Sequence, residues 1–265
     1  MNYRVSEDVK TEFRRSGYAI LDSVIDDSTL VALREECSYF MGYIDSWLDS
    51  KGSEVFGITH RNKRYFIANR YRLRPRVAEF LFSGLMAQIS SSFLGPDVYL
   101  FHEQWVVKGA EQGMKFAWHQ DSGYVKFRDP LTTHKPYLTC WCALDDMTRE
   151  NGTISVLPHG EVIPRDSIAD HIHEQGTNDL VGYNGTNPGV EIVVPKGSVV
   201  VFASTVLHRS GGNRTDSLRR AYLAQYSSEP IVSSNGKLWS QAVPFLCDGK
   251  VVYDKEGDLA QARRK

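Results

Sequence analysis

Up to about residue 96, apolar positions recur at a spacing of three to four; from Asp97 onward they alternate in short runs, so the chain changes secondary-structure type once. The first part predicts helices over Asp8 to Arg15, Ser28 to Leu48 and Pro75 to Phe93. Asp27-Ser28 and Arg74-Pro75 mark two of their starts, the second because proline fits a first helical turn. The second part predicts strands over Val98 to Lys108, Phe116 to Lys126, Tyr137 to Asp145, Thr153 to Leu157, Val190 to Val194, Ser198 to Ala203, Val206 to Gly211 and Arg219 to Ser227. These are β-branched or aromatic runs separated by Gly, Pro, Asn and Asp. Runs of this kind predict a mainly β fold with flanking α: a double-stranded β-helix, or jelly roll, with the N-terminal helices packed on one sheet. The expected division is a helical part over 1–96, a jelly-roll core over 97–228 and a C-terminal extension over 229–265, all in one domain. Pro158 to Gly189, rich in His, Asp, Asn and Gly, is too long for an ordinary connection and is a candidate lid, the other reading being a tolerated surface insertion.

Composition narrows the partners. A chain of 265 residues with 42% hydrophobic content can bury one substantial core. Acids and bases nearly cancel, 32 against 31, so no overall field favours nucleic acid or an anionic membrane surface, and a small-molecule partner is expected. The sequence shows no long uncharged apolar run to span a bilayer, and Met1 to Asp8 lacks the apolar core of a signal peptide; a cytoplasmic location is the expectation. Cys37, Cys140, Cys142 and Cys247 lack zinc-finger or redox-pair spacing and read as reduced thiols.

The chemistry lies in three residues. On a strand, His119 and Asp121 project to one side, and a distant strand can bring His208 to the same ion. Two imidazoles and one carboxylate on one face of an octahedron leave the opposite positions open, as a non-haem Fe(II) oxygenase requires. Alone, His-x-Asp is a weak motif that chance also produces. Arg219, eleven positions after His208, strengthens it, because a guanidinium fork grips the far carboxylate of a dicarboxylate that chelates the iron.

In this spacing the chain resembles the phytanoyl-CoA dioxygenase family of Fe(II)/2-oxoglutarate oxygenases. The resemblance extends through Trp118-His119-Gln120-Asp121, through Leu138 to Asp146 and Glu150 to Pro158, and to Gly17-Tyr18-Ala19-Ile20-Leu21 near the start. It implies that His119, Asp121 and His208 bind Fe(II), that 2-oxoglutarate pairs with Arg219, and that O2 is the other cosubstrate. The implied reaction oxidises an unactivated C–H bond and releases succinate and CO2. Family members that halogenate carry a small residue in place of the carboxylate, so Asp121 points to hydroxylation or a related oxidation; desaturation, epimerisation and ring closure stay open. Pro158-His159-Gly160-Glu161 departs from the Pro-Gly-Ser-His usual in relatives. Relatives act on acyl thioesters, amino-acid-derived solutes, phosphonates and secondary metabolites; here a polar or anionic small molecule is expected.

Ser210 shares a face with His208, and the family often places a hydroxyl there against the cosubstrate; a surface hydroxyl is the plainer reading. Arg220 should face away from Arg219. Thr139, Trp141, Phe116 and Lys108 could border the cosubstrate, although core packing suits the tryptophan. His171-Ile172-His173 imitates a metal pair but reads as polar loop, and His60, His102, His134 and His159 read as solvent or hydrogen-bonding residues. Seven basic residues from Arg61 to Arg76 form a cluster that is ordinarily a solvated face; the sharper reading gives Arg64 and Arg70 to an acidic group of the substrate. The competing classes are a cupin-like metalloenzyme without 2-oxoglutarate and a non-catalytic binding module, with oxygenation of a protein side chain a further variant of the enzyme reading.

Overall fold

The computed structural model describes residues 3–262. In chain order the elements are α1 (Glu7–Ser16), β1 (Tyr18–Leu21), α2 (Asp27–Lys51), β2 (Val55–Phe56), β3 (Thr59–His60), β4 (Arg64–Ala68), a 3-10 turn (Tyr71–Leu73), α3 (Pro75–Leu81), α4 (Gly84–Leu94), β5 (Val98–Lys108), β6 (Phe116–His119), α5 (Asp121–Arg128), β7 (Leu138–Ala143) and β8 (Ile154–Leu157). They continue with β9 (Ile172–His173), β10 (Leu180–Val181), β11 (Val190–Glu191), β12 (Val199–Ala203), β13 (Leu207–Ser210), β14 (Arg219–Ser227), β15 (Val243–Cys247), β16 (Lys250–Val251) and α6 (Lys255–Ala262). Ser6, Asp26 and Ser83 begin α1, α2 and α4 as side-chain caps that accept from the backbone N–H three residues on.

Two antiparallel sheets make the roll. The major sheet runs β1-β12-β7-β14-β5-β4-β3-β2, and the minor sheet runs β11-β8-β13-β6. Both faces of the major sheet are buried, which is why its strands carry apolar residues at odd and even positions alike. The outer face holds Cys140, Tyr222 and Tyr226 and packs with Leu33, Phe40, Val77 and Met86 of α2, α3 and α4. The inner face holds Trp141, Phe202 and Leu223 against Ile154 and Val156 of the minor sheet. At the ~25 cal/mol per Å² of apolar surface removed from water, this double burial is the main source of stability. Pro75–Leu94 has the length and mean hydropathy, 1.3, of a membrane span, but it breaks at Ser83 and buries Val77, Leu81, Met86 and Ile89 in the core.

Two expectations are corrected. The stretch over 1–96 is not wholly helical: β1 and β4 belong to the major sheet, and the strand alternation of Arg64–Ala68 was hidden by its setting among arginines. The strand expected over Phe116 to Lys126 ends at His119, and Asp121 opens α5, because an acid stabilises a first helical turn while basic Lys126 and Arg128 suit its last. Gln120 is still extended, at φ −111° and ψ 140°, so Asp121 returns to the side of His119.

Candidate metal centre

Antiparallel pairing of β6 with β13 sets His119 directly opposite His208, with ring centroids 4.1 Å apart. Asp121 completes the group from the first turn of α5: its Oδ1 lies 3.9 Å from His119 Nε2 and 3.8 Å from His208 Nε2. One ligand atom from each residue falls within 4.8 Å of the other two. Each imidazole is held by its other nitrogen, His119 Nδ1–H donating to Ala117 O at 2.8 Å and His208 Nδ1–H to Val206 O at 3.1 Å. Those bonds select the tautomer whose Nε2 lone pair faces the centre. Burial, and then His208 alongside, drives the basicity of His119 well below that of an ordinary histidine, so it is neutral and able to ligate.

Asp121 is oriented with equal care. Its Oδ2 accepts from Thr139 Oγ1 at 2.6 Å and from Gln225 Nε2 at 2.9 Å, which leaves Oδ1 for the histidines. A cavity of about 590 Å³ opens onto all three ligands and extends to Arg219. Arg219 is 1% exposed; its Nη2 donates to Gly152 O at 3.1 Å, while Nε and Nη1 are buried without a partner. Burial pushes its guanidinium down to about 9. A buried, half-unsatisfied cation costs free energy until an anion meets it, and a carboxylate answers its planar fork. The donor set and Arg219 together therefore fit an iron ion with a chelating dicarboxylate. Arg220 faces the other way and pairs with Asp145 at 2.8 Å, as strand alternation required.

Of the other expected residues, Ser210, Trp141 and Phe116 line the cavity, and the Phe116 ring stands edge-on to His119 at 4.5 Å. Thr139 acts through Asp121 instead of lining the cavity. Lys108 is displaced from that role: its amine is buried and donates to Met114 O. Arg64 and Arg70 are not substrate residues. Arg64 is 1% exposed, ion-paired with Asp179, and donates to Ile58 O at 2.8 Å, Lys115 O at 3.0 Å and Thr177 O at 2.6 Å, so each nitrogen of its guanidinium is engaged inside the fold. Arg70 stacks on Phe40 and Tyr43 away from the cavity. None of the residues of the 158–189 insertion, the candidate lid, lines the cavity, whose walls include Phe56–Thr59, residues of α5 and Trp239-Ser240.

Sequence reading missed Gln225, although its six-residue separation from Arg219 puts it on the same inward face of β14. It also missed Tyr124 and Arg128 of α5 and His102 and Gln104 of β5, which line the half of the cavity away from Arg219. Tyr124 and Arg128 were missed because the strand expected over Phe116 to Lys126 hid the helix that brings both to the cavity.

A jelly roll with two histidines and a carboxylate converging at one mouth defines a class of metal-binding β folds. Within it, the phytanoyl-CoA dioxygenase (PhyH) family profile matches residues 13–221, and the chain belongs to that family. The peroxisomal phytanoyl-CoA dioxygenase of Rattus norvegicus is 28% identical over 170 residues, covering 60% of this chain and 45% of the rat protein. Its Mus musculus counterpart is 26% identical over 235 residues, covering 84% and 63%. The chain thus spans about half to two thirds of the length of these relatives. Among solved structures, EvdO2 from Micromonospora carbonacea var. aurantiaca complexed with 2-oxoglutarate shares the fold at TM-score 0.67 and 23% identity, covering 89% of this chain and 96% of that one.

Proposed function

We propose that the protein is an Fe(II)/2-oxoglutarate-dependent dioxygenase that oxidises a C–H bond of a small molecule. The observation that carries this reading is the placement of an unpaired, buried Arg219 in the same cavity as the three converging ligand atoms. A metal site of another kind has no use for that cation. When bound, the iron and 2-oxoglutarate supply the oxidising power, with O2 reduced as 2-oxoglutarate goes to succinate and CO2 and one oxygen reaching the substrate. The chain's own residues bind and orient. His119 and His208 present Nε2, Thr139 and Gln225 hold the Asp121 carboxylate, and Arg219 takes the far carboxylate of the cosubstrate.

The rest of the cavity favours an anionic or neutral substrate. Asp121 is the sole carboxylate among the described lining residues, and it is committed to the centre. Of the lining arginines, Arg209 is engaged over the Trp118 ring and at Pro188 O, which leaves Arg128 on the last turn of α5 to meet an acidic group at the rim.

Anaerobic titration of the apo-protein with Fe(II) and then 2-oxoglutarate tests the reading. A visible charge-transfer band should appear in the wild type and be lost in His119→Ala. Iron binding with no band on adding 2-oxoglutarate would sink it in favour of a metalloenzyme of another class.

A further inference from the structure

The strand that carries His119 is the edge of the minor sheet, so one side of its backbone has no partner strand. The 158–189 insertion fills that side bond by bond. Ala117 N–H donates to Asp179 Oδ2 at 3.0 Å, Gly182 N–H donates to Trp118 O at 2.7 Å, and Gln120 N–H donates to His171 Nε2 at 3.0 Å. The Gln120 side chain is gripped as well, its Nε2 donating to Ser167 O and its Oε1 accepting from Ala169 N–H, both at 2.7 Å.

His171 is seated for this purpose. Its Nδ1–H donates to Ala169 O at 2.9 Å, which leaves Nε2 as an acceptor. The ring lies between two glycines: a Cβ at Gly123 would stand 2.1 Å from its Cε1, and one at Gly182 would stand 2.5 Å from its Nε2. Neither glycine has a left-handed backbone, so both are explained by room for the imidazole. Asp179, for its part, is fixed by the buried guanidinium of Arg64, and the residue it holds, Ala117, supplies the carbonyl that orients His119.

We infer that His171 and Asp179 are positioning residues for the iron ligands, and that the insertion is a clamp on the metal-bearing strand acting from behind the cavity. His171 holds the peptide between His119 and Gln120, one residue short of Asp121; Asp179 holds the peptide entering Ala117. The inference rests on the iron reading above, and its test separates the two.

The test compares wild type, His171→Phe and His171→Gln by anaerobic Fe(II) titration, and measures amide hydrogen exchange of Ala117 and Gln120 in the wild-type apo-protein. Phenylalanine keeps the ring outline and drops the acceptor; glutamine restores an oxygen. Iron affinity should fall about tenfold or more in His171→Phe and recover in His171→Gln, as for other outer partners of metal ligands. Both amides should already be protected without metal. His171→Phe binding iron within twofold of wild type overturns the clamp, and so do amides that exchange freely until Fe(II) is added. The exchange measurement uses wild type alone, so it decides even if the phenylalanine variant fails to fold. A wild type that binds no iron refutes the oxygenase reading, not the clamp's hold on the strand.

Discussion

Gln225 Nε2 lies 2.9 Å from Asp121 Oδ2, so an uncharged side chain on a central strand of the major sheet orients the single carboxylate of the metal centre across the interior of the roll. Thr139 makes the second bond to the same oxygen and also accepts from Gln225, at 3.0 Å. Gln225→Leu keeps the volume and removes the donor. Iron affinity is expected to drop roughly tenfold, and Gln225→Leu with Thr139→Val should lose less than the two single losses combined, because each residue restrains the other and removing one already loosens its neighbour. Anaerobic Fe(II) titration of the three variants reads this directly.

Arg219→Met should separate binding from stability. The guanidinium is buried with two unpartnered nitrogens, so replacing it with an apolar chain leaves the apo melting temperature equal or higher. In the same variant 2-oxoglutarate affinity should fall by about thirtyfold or more, corresponding to at least ~2 kcal/mol for losing one side of a buried charge pair. Thermal denaturation with and without 2-oxoglutarate shows both effects, since a ligand that binds only the folded state raises the melting temperature. A variant that still gains stability from 2-oxoglutarate as wild type does would remove Arg219 from the site.

Arg64 should matter for folding and not for substrate selection. Arg64→Ala leaves Asp179 as an uncompensated buried charge and is expected to destabilise by ~3–5 kcal/mol. Replacing both partners by apolar residues, Arg64→Met with Asp179→Leu, should recover part of that loss but not the hydrogen bond to Ala117 N–H. Urea unfolding of the single and double variants decides it.

Glu103 predicts a pH dependence away from the site. It is wholly buried on β5, accepting from Tyr222 Oη–H at 2.8 Å and Tyr71 N–H at 3.1 Å, and burial outweighs those bonds to push its carboxyl from 4.5 up to about 7. The folded chain therefore keeps a proton that the unfolded chain has lost between these values, so this residue's contribution to stability declines as pH rises from about 4.5 to about 7. Relative to Glu103→Gln, wild type should lose on the order of 3 kcal/mol across that window. Chemical denaturation at pH 5 and pH 8 measures the difference.

The fold class was readable because short alternating runs belong to strands whatever their partners, and the eight runs expected after Asp97 match the roll in type, with the second ending early at His119 and turning into helix. Arg64–Ala68 was unreadable as a strand because it is short and set among basic residues on both sides. Arg64 is inward and buried, yet nothing local distinguishes a buried arginine with a carboxylate waiting 115 residues away from a solvated one. His171 was misplaced for the same reason: its buried seat depends on glycines at 123 and 182 that only the fold brings together.

The sequence by itself determined the strand runs of the roll, the shared side of His119 and Asp121 and the opposite facing of Arg219 and Arg220, because these follow from local periodicity, while His208 and the choice of Arg219 came from the spacing the chain shares with its family. Only the tertiary structure decided which arginines are spent on the fold, that Gln225 and Thr139 orient Asp121, and that the insertion lies behind the metal strand instead of over the cavity. Those assignments depend on hydrogen bonds between residues far apart in the chain. A donor's partner is set by which backbone and side-chain groups folding leaves unsatisfied, and that becomes known only when the strands are in register.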